Sequence, residues 1–145
     1  MVTVPIGFRA RDDIVPGPIS LRFFMSLRWP LGINEERRDG ALVLTLAGRL
    51  GATSAVVLDV AVTAAIGRGD ARLVIDLEGV DYVSSAGLRA LAAAASLCAQ
   101  ARGGLALCGL AEPVRIALDL GGMLADFPVE SSRDRALARV SAGVK

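Results

Sequence analysis

The sequence contains no histidine, and this absence excludes several kinds of catalytic and metal site. A Ser-His-Asp triad, a Cys-His pair, a His-ligated zinc ion and a phosphohistidine relay all need that side chain. Cysteine is almost as scarce, since Cys98 and Cys108 are too few for a disulfide framework. Both are typical of small apolar core residues in a reducing compartment, and we expect no metal site.

Positive and negative side chains are also nearly equal in number. Sixteen Lys and Arg residues balance fifteen Asp and Glu residues, which leaves a net charge of +1. A nucleic-acid partner is therefore not expected, because such binding needs a basic surface. The only lysine is Lys145, and Asp12 and Asp13 precede any predicted strand. A receiver domain needs early acids and a late lysine, so we interpret Asp76 as a polar residue that ends its strand.

Long hydrophobic runs and nucleotide-binding loops are missing as well. The longest uncharged stretch, Ala90–Ala101, is shorter than the ~20 residues of a membrane-spanning helix. Arg22 and Arg28 interrupt the apolar stretch Ile19–Leu31, which is unlike a signal peptide. Neither a Gly-x-x-x-x-Gly-Lys-Ser/Thr loop nor a Gly-x-Gly-x-x-Gly fingerprint occurs. We expect no membrane span, no cofactor, no enzymatic activity and a cytoplasmic location.

What remains is a chain of 145 residues, 53% of them hydrophobic, which is enough for one domain with a real core. Residues 1–32 hold four of the six prolines and show no regular period. They are interpreted as a partly ordered N-terminal extension before a domain at residues 33–145. Within the extension, Leu21–Leu31 mixes basic and aromatic side chains, so it either docks on a partner or a membrane surface, or has no role.

Beyond Ile33 the hydrophobic pattern predicts the element order ββαβαβαβα. Such alternation indicates a mixed sheet with helices packed on it. The predicted elements are a hairpin turning at Asp39-Gly40 with a strand Ala41–Ala47, a helix Thr53–Ile66 capped by Thr53, a strand Leu73–Leu77, a helix beginning near Ser84–Gly87, a strand Leu105–Cys108, a helix with Pro113 in its first turn, a strand Phe127–Val129, and a last helix capped by Ser131 with Asp134.

The predicted helix Thr53–Ile66 contains a single charged residue, Asp59. A helix that is apolar nearly all round is usually buried or docked. We assign its inner face to Val57, Val60, Ala61 and Ala64, and we expect a partly exposed apolar face near the next helix start. That face could serve a protein partner or a weak homodimer.

Two serines stand where the following helix begins. Ser84 or Ser85 can cap the helix, and Gly87 lets the chain approach a neighbour closely. A helix N-terminus also stabilises an anion, and a phosphate would add a charge of roughly −2 there. A phosphorylated serine at this place would thus alter the surface without unfolding the domain.

The stretch Val74–Leu88 resembles the signature of STAS domains, in particular the bacterial anti-sigma factor antagonists. Leu46-Ala-Gly-Arg-Leu50 followed by Thr53, the pair Gly103-Gly104, and Leu120-Gly-Gly-Met-Leu124 are similar to further family segments. The resemblance covers about residues 33–141. It implies the STAS α/β fold, a mixed sheet with about four helices packed largely on one face.

The resemblance also implies a function. Ser85 corresponds to the family's phosphorylated serine, with Ser84 as a rival acceptor. The unphosphorylated antagonist would bind an anti-sigma factor that is also a serine kinase, and a PP2C-type phosphatase would remove the phosphate. The implied partner-binding positions are Gly51, Thr53, Ser84, Ser85, Gly87 and Leu88.

Two positions depart from the family pattern, because Gly51 and Ser84 stand where aspartates are common. An alternative is therefore a non-catalytic STAS subunit of a transporter or scaffold complex without a kinase cycle. A ligand-sensing STAS domain is a third interpretation.

Overall fold

The computed structural model describes residues 31–123 and 127–142. The elements follow the predicted ββαβαβαβα order. They are β1 (Leu31–Arg38), β2 (Ala41–Leu50), α1 (Ala52–Gly67), β3 (Arg72–Val83), α2 (Ser85–Gln100), β4 (Gly104–Cys108), α3 (Glu112–Leu120), β5 (Val129–Glu130) and α4 (Arg133–Ala142).

The first two strands form the predicted hairpin. Asp39 and Gly40 have φ angles of 55° and 82°, which is the type I′ geometry that joins antiparallel strands in two residues. Pairing runs from Arg38 opposite Ala41 to Leu31 opposite Gly48. The side chain of Leu31 is buried in the core, so β1 includes the last two residues of the predicted extension. Residues 1–30, and with them the segment that begins at Leu21, lie outside the described residues.

The five strands form one mixed sheet in the order β1-β2-β3-β4-β5. β1 is antiparallel to β2, and the other neighbours are parallel. β3 extends to Val83 and is therefore longer than the predicted strand Leu73–Leu77. Beyond Asp76 it pairs with β2 alone. Only one neighbour covers that half, so Glu78 and Asp81 are exposed and the buried-strand pattern stops early.

The helices lie largely on one face of the sheet, as expected. α1, α2 and α3 pack over the main core, which contains Leu44, Leu58, Ile75, Leu91 and Leu118 among others. α4 covers the opposite face with Ala136, Leu137 and Val140. The side chains of Cys98 and Cys108 are buried, one on each face, as predicted for core residues.

The predicted orientation of α1 was wrong. Its buried residues are Ser54, Ala55, Leu58, Val62 and Ala65, whereas Val60 and Ala64, predicted to face inward, are exposed. A helix that is apolar on all sides offers no polar face from which to infer its orientation.

The predicted caps need two corrections. Gly51, rather than Thr53, occupies the N-cap of α1, and the Ser54 hydroxyl accepts a hydrogen bond from the Gly51 N–H at 2.8 Å. In the last helix the Ser132 hydroxyl, rather than that of Ser131, accepts from the Arg135 N–H. The last strand also begins two residues later than predicted, because Phe127 is buried against the core outside the ladder.

Candidate functional site

The candidate site lies where β2 and β3 end side by side. Leu50 pairs with Val83, and each strand leads within two residues into a helix, α1 or α2. The Ser84 N–H donates to the Leu50 carbonyl at 2.9 Å, which continues the pairing to the helix boundary. The two helix starts are thereby held next to each other at one edge of the sheet.

Ser84 is the N-cap of α2. Its hydroxyl accepts a hydrogen bond from the Gly87 N–H at 3.1 Å, and its carbonyl accepts from the Leu88 N–H at 2.9 Å. The side chain is half-buried. Of the two caps proposed from the sequence, Ser84 fills the role, and its hydroxyl is engaged in holding the helix start.

Ser85 is the first residue of α2 and is exposed. Within the described parts of the chain, no hydrogen bond engages its hydroxyl. The first turn of α2 carries no acidic residue, and Arg89 lies four residues further on the same side. The helix N-terminus and this arginine both favour a negative charge at Ser85.

Gly87 brings the two helix starts close together. A Cβ at this position would lie 2.5 Å from the Leu50 carbonyl oxygen and 3.1 Å from Val83 Cγ1. Gly87 is buried, and its missing side chain permits this close packing. This is the close approach that the sequence predicted for Gly87.

The remaining predicted positions lie around Ser85. Thr53 is exposed in the first turn of α1, and Gly51 is half-buried at its N-cap. Leu88 is half-buried, packs on the core and lies beside Gly121 at the end of α3. The structure therefore places all six predicted positions at one edge of the sheet. Two are exposed, three are half-buried and Gly87 is buried.

Sequence reasoning missed an aromatic side chain at this edge. Tyr82 is 42% exposed, and the Arg49 guanidinium stacks on its ring at 4.5 Å from the centroid. A Cβ on Gly51 would lie 3.9 Å from the Tyr82 ring, so the pair borders the start of α1. Val80 and Val83 are buried and the two residues between them are exposed, so a strict period of two could not have placed Tyr82 on the surface.

The outer face of α1 adds an apolar surface to the edge. Ala52, Val56, Val60 and Thr63 follow helical spacing and are all exposed. Val56 is 60% and Val60 63% exposed, which is high for valine in a folded domain. The expected apolar face on this helix is confirmed, although it is formed by Val60 and its neighbours on the side predicted to be inner.

Asp76 is unsuited to accept a phosphate. It lies inside β3 rather than at its end, and its side chain is buried. Arg133 donates to one carboxylate oxygen at 2.8 and 3.2 Å, and the Glu78 N–H donates to the other at 2.9 Å. The hydrogen bond to Asp76 raises the pKa of Arg133 above its ordinary value. Asp76 thus anchors α4 to the sheet.

Two other kinds of feature are absent from residues 31–123 and 127–142. No three His, Cys, Asp or Glu side chains are grouped closely enough to hold a metal ion. None of the helices in these ranges has the length and apolar character needed to cross a membrane.

Comparison with known proteins identifies relatives of this fold and site. The STAS domain family model matches residues 32–136. A protein named as an anti-sigma factor antagonist, BtrV of Bordetella bronchiseptica, is 38% identical over 106 residues, which are 73% of this chain and 91% of that protein.

Solved structures of anti-sigma factor antagonists have a similar fold. An anti-sigma factor antagonist from Mycobacterium paratuberculosis superposes with a TM-score of 0.69 at 28% identity, over 76% of this chain and 93% of the other. The antagonist SpoIIAA in its unphosphorylated form gives 0.66 at 16% identity, over 79% of this chain and all of the other. The chain belongs to the STAS domain family and is an anti-sigma factor antagonist-like STAS domain.

Proposed function

We propose that this protein is a phosphorylation-controlled binding switch. In its unphosphorylated form it binds an anti-sigma factor that is also a serine kinase, and phosphorylation of Ser85 by that kinase releases the complex. A PP2C-type phosphatase restores the binding form, and the protein itself catalyses no reaction. The observation that carries the proposal is the exposed, unengaged hydroxyl of Ser85 at the first position of α2.

The contrast with Ser84 supports Ser85 as the acceptor. A kinase must place the acceptor hydroxyl in its own active site, and the Ser84 hydroxyl already holds the Gly87 N–H. Transfer to Ser84 would first break that cap, which typically stabilises a helix by about 1 kcal/mol. Transfer to Ser85 breaks no hydrogen bond of the described structure.

The surroundings of Ser85 support a switch that leaves the fold intact. A phosphate there would meet the N-terminus of α2 and lie within reach of Arg89, and exposed charges of this kind are typically stabilised by ~0.3–1 kcal/mol. A partner surface shaped for a neutral hydroxyl would instead have to desolvate a charge of roughly −2. Each ~1.4 kcal/mol lost at such an interface weakens binding tenfold.

The test uses two variants of Ser85 and one of Ser84. Ser85→Asp should melt near the wild-type temperature and bind the kinase at least tenfold more weakly, measured by calorimetry. Ser85→Ala should bind like the wild type but incorporate no phosphate. The matched control, Ser84→Ala, loses the cap, so it should melt at a lower temperature and still be phosphorylated on Ser85 by peptide mapping.

Two results would contradict the proposal in different ways. Phosphate on Ser84 of the wild type would move the acceptor by one residue. Full-strength binding by Ser85→Asp would remove the switch and favour a constitutive subunit of a transporter or scaffold complex. The kinase for these measurements is the protein kinase that the wild-type chain captures from extracts of its own cells, identified by mass spectrometry.

A further inference from the structure

The outer face of α1 (Ala52, Val56, Val60 and Thr63) is an apolar helix face that no described residue covers. We propose that its occupant is the chain's own N-terminal segment, residues 21–30, which folds back over α1. The proposal concerns a contact within one molecule, and it does not depend on phosphorylation of Ser85.

The position of Leu31 shows where this segment is attached relative to α1. Leu31 pairs with Gly48, two residues before β2 ends at Leu50, and α1 begins at Ala52. The point at which residues 21–30 join the domain therefore lies at the edge where α1 starts. Val56 lies only about 6 Å along the helix from Ala52.

The segment is long enough to follow the helix. Phe24 precedes Leu31 by seven residues, which span up to roughly 23 Å when extended. The 16 residues of α1 are about 24 Å long. Phe23, Phe24, Leu27 and Trp29 can thus reach the level of both Val56 and Val60.

Composition and charge of the two surfaces are complementary. Residues 21–30 hold three of the chain's five Phe and Trp side chains, and their only charged residues are Arg22 and Arg28. The only charged side chain of α1 is Asp59, which is exposed beside the outer face. A second copy of the chain is the weaker candidate, because two α1 faces packed symmetrically would bring like charges of Asp59 together.

The matched regions of the relatives indicate that residues 21–30 are an addition to the STAS domain. The STAS match begins at residue 32, and BtrV is covered over 91% of its length by only 73% of this chain. The match to the family model therefore includes α1 but none of residues 21–30. A protein partner that binds the outer face of α1 would first have to displace this segment.

The single tryptophan, Trp29, makes the contact measurable in the full chain. In the wild type we expect blue-shifted Trp29 emission and weak quenching by acrylamide. The double variant Val56→Gln/Val60→Gln should shift the emission to the red and raise the quenching constant at least twofold. Gln favours helix and both positions are exposed, so the far-ultraviolet circular dichroism and melting should stay near the wild type.

The matched control is Ile116→Gln/Leu120→Gln. These residues are apolar and 48% and 83% exposed, and they lie on α3, which does not pack substantially against α1 in the described residues. The control should leave Trp29 emission unchanged. Emission and quenching of the wild type equal to those of free N-acetyltryptophanamide would overturn the proposal, as would an equal red shift in both double variants. A Trp29 shift that depends on protein concentration would assign the face to a second copy instead.

Discussion

Gly87 shows how one residue shapes the candidate site. Its missing side chain lets the first turn of α2 lie against the Leu50 carbonyl, and this contact sets the distance between the starts of α1 and α2. A glycine inside a helix lowers stability by about 1 kcal/mol relative to alanine. Its presence here is explained by the close packing rather than by helix propensity.

Replacing Gly87 with alanine should therefore destabilise the domain. The new Cβ would lie 2.5 Å from a backbone oxygen, so main-chain atoms must move, and overpacking of this kind typically costs about 1–3 kcal/mol. We expect a net loss of about 1 kcal/mol or more in urea unfolding, despite the better helix propensity. Gly67→Ala is the matched control, because a Cβ there meets nothing within 4 Å. Equal midpoints for the two variants would contradict the steric explanation.

The two cysteines give a second test at this scale. Burial disfavours the charged thiolate and raises the pKa of both Cys98 and Cys108 from 9.0 to about 11. The thiolate fraction at pH 8 falls about a hundredfold as a result, and thiolate is the form that reacts. Native protein should thus react slowly with a thiol reagent at pH 8, whereas both thiols should react rapidly in denaturant. Rapid stoichiometric labelling of the native protein would show that a thiol is accessible.

Among the described elements, α4 is the one helix on its face of the sheet. Its apolar contribution is small, since Ala136, Leu137 and Val140 are its buried residues. The attachment is completed by Arg133, which donates to the Asp76 carboxylate and to the Thr45 hydroxyl. One side chain of α4 thereby joins β2 and β3 at the level of the buried acid.

Arg133→Ala should destabilise the domain by about 2 kcal/mol, because it removes two of the three hydrogen bonds to the buried Asp76 carboxylate. Arg135→Ala is the control on the same helix, since Arg135 is exposed and its side chain forms no ion pair within the described ranges. Thermal melting of both variants measures the difference. A similar small change in the two would mean that the Arg133–Asp76 pair contributes little to stability.

At the same scale, the limits of prediction from sequence are visible in α1 and β3. The element order could be predicted because strands and helices have different hydrophobic periods, and Asp39-Gly40 and the Ser84 region carry local turn and cap chemistry. The orientation of α1 could not, since it lacks a polar face. The far half of β3, and with it Tyr82, was missed because a strand with one neighbour has exposed residues that interrupt the apolar run.

For the whole molecule, the domain boundary is the clearest test. Leu31 is buried in the core and pairs with Gly48, although the sequence assigned it to the extension. A fragment 31–145 should melt in one cooperative transition. A fragment 33–145 loses the burial of Leu31, which typically contributes ~1.5–3 kcal/mol, so its melting temperature should be lower by roughly 5–10 °C. Loss of a cooperative transition in the longer fragment would show that residues 1–30 are part of the core.

The location of the candidate site could be predicted from the sequence, but its hydrogen bonds could not. The Ser-Ser-Ala-Gly-Leu stretch indicated the start of a helix, and the resemblance to STAS domains singled out Ser85. Which serine caps the helix depends on the hydrogen bond between Ser84 and the Gly87 N–H. The sequence allowed both, because both residues are good N-caps and only the path of the backbone distinguishes them.

The hydrogen bond between the Ser84 hydroxyl and the Gly87 N–H has an evolutionary consequence. Because Ser84 rather than Ser85 caps this helix, we expect substitutions at the exposed Ser85 to have little effect on stability. A lineage can therefore gain, lose or permanently mimic the proposed modification at Ser85 by single mutations without first acquiring compensating changes elsewhere. New regulatory variants of such a domain can arise from neutral drift at a single codon.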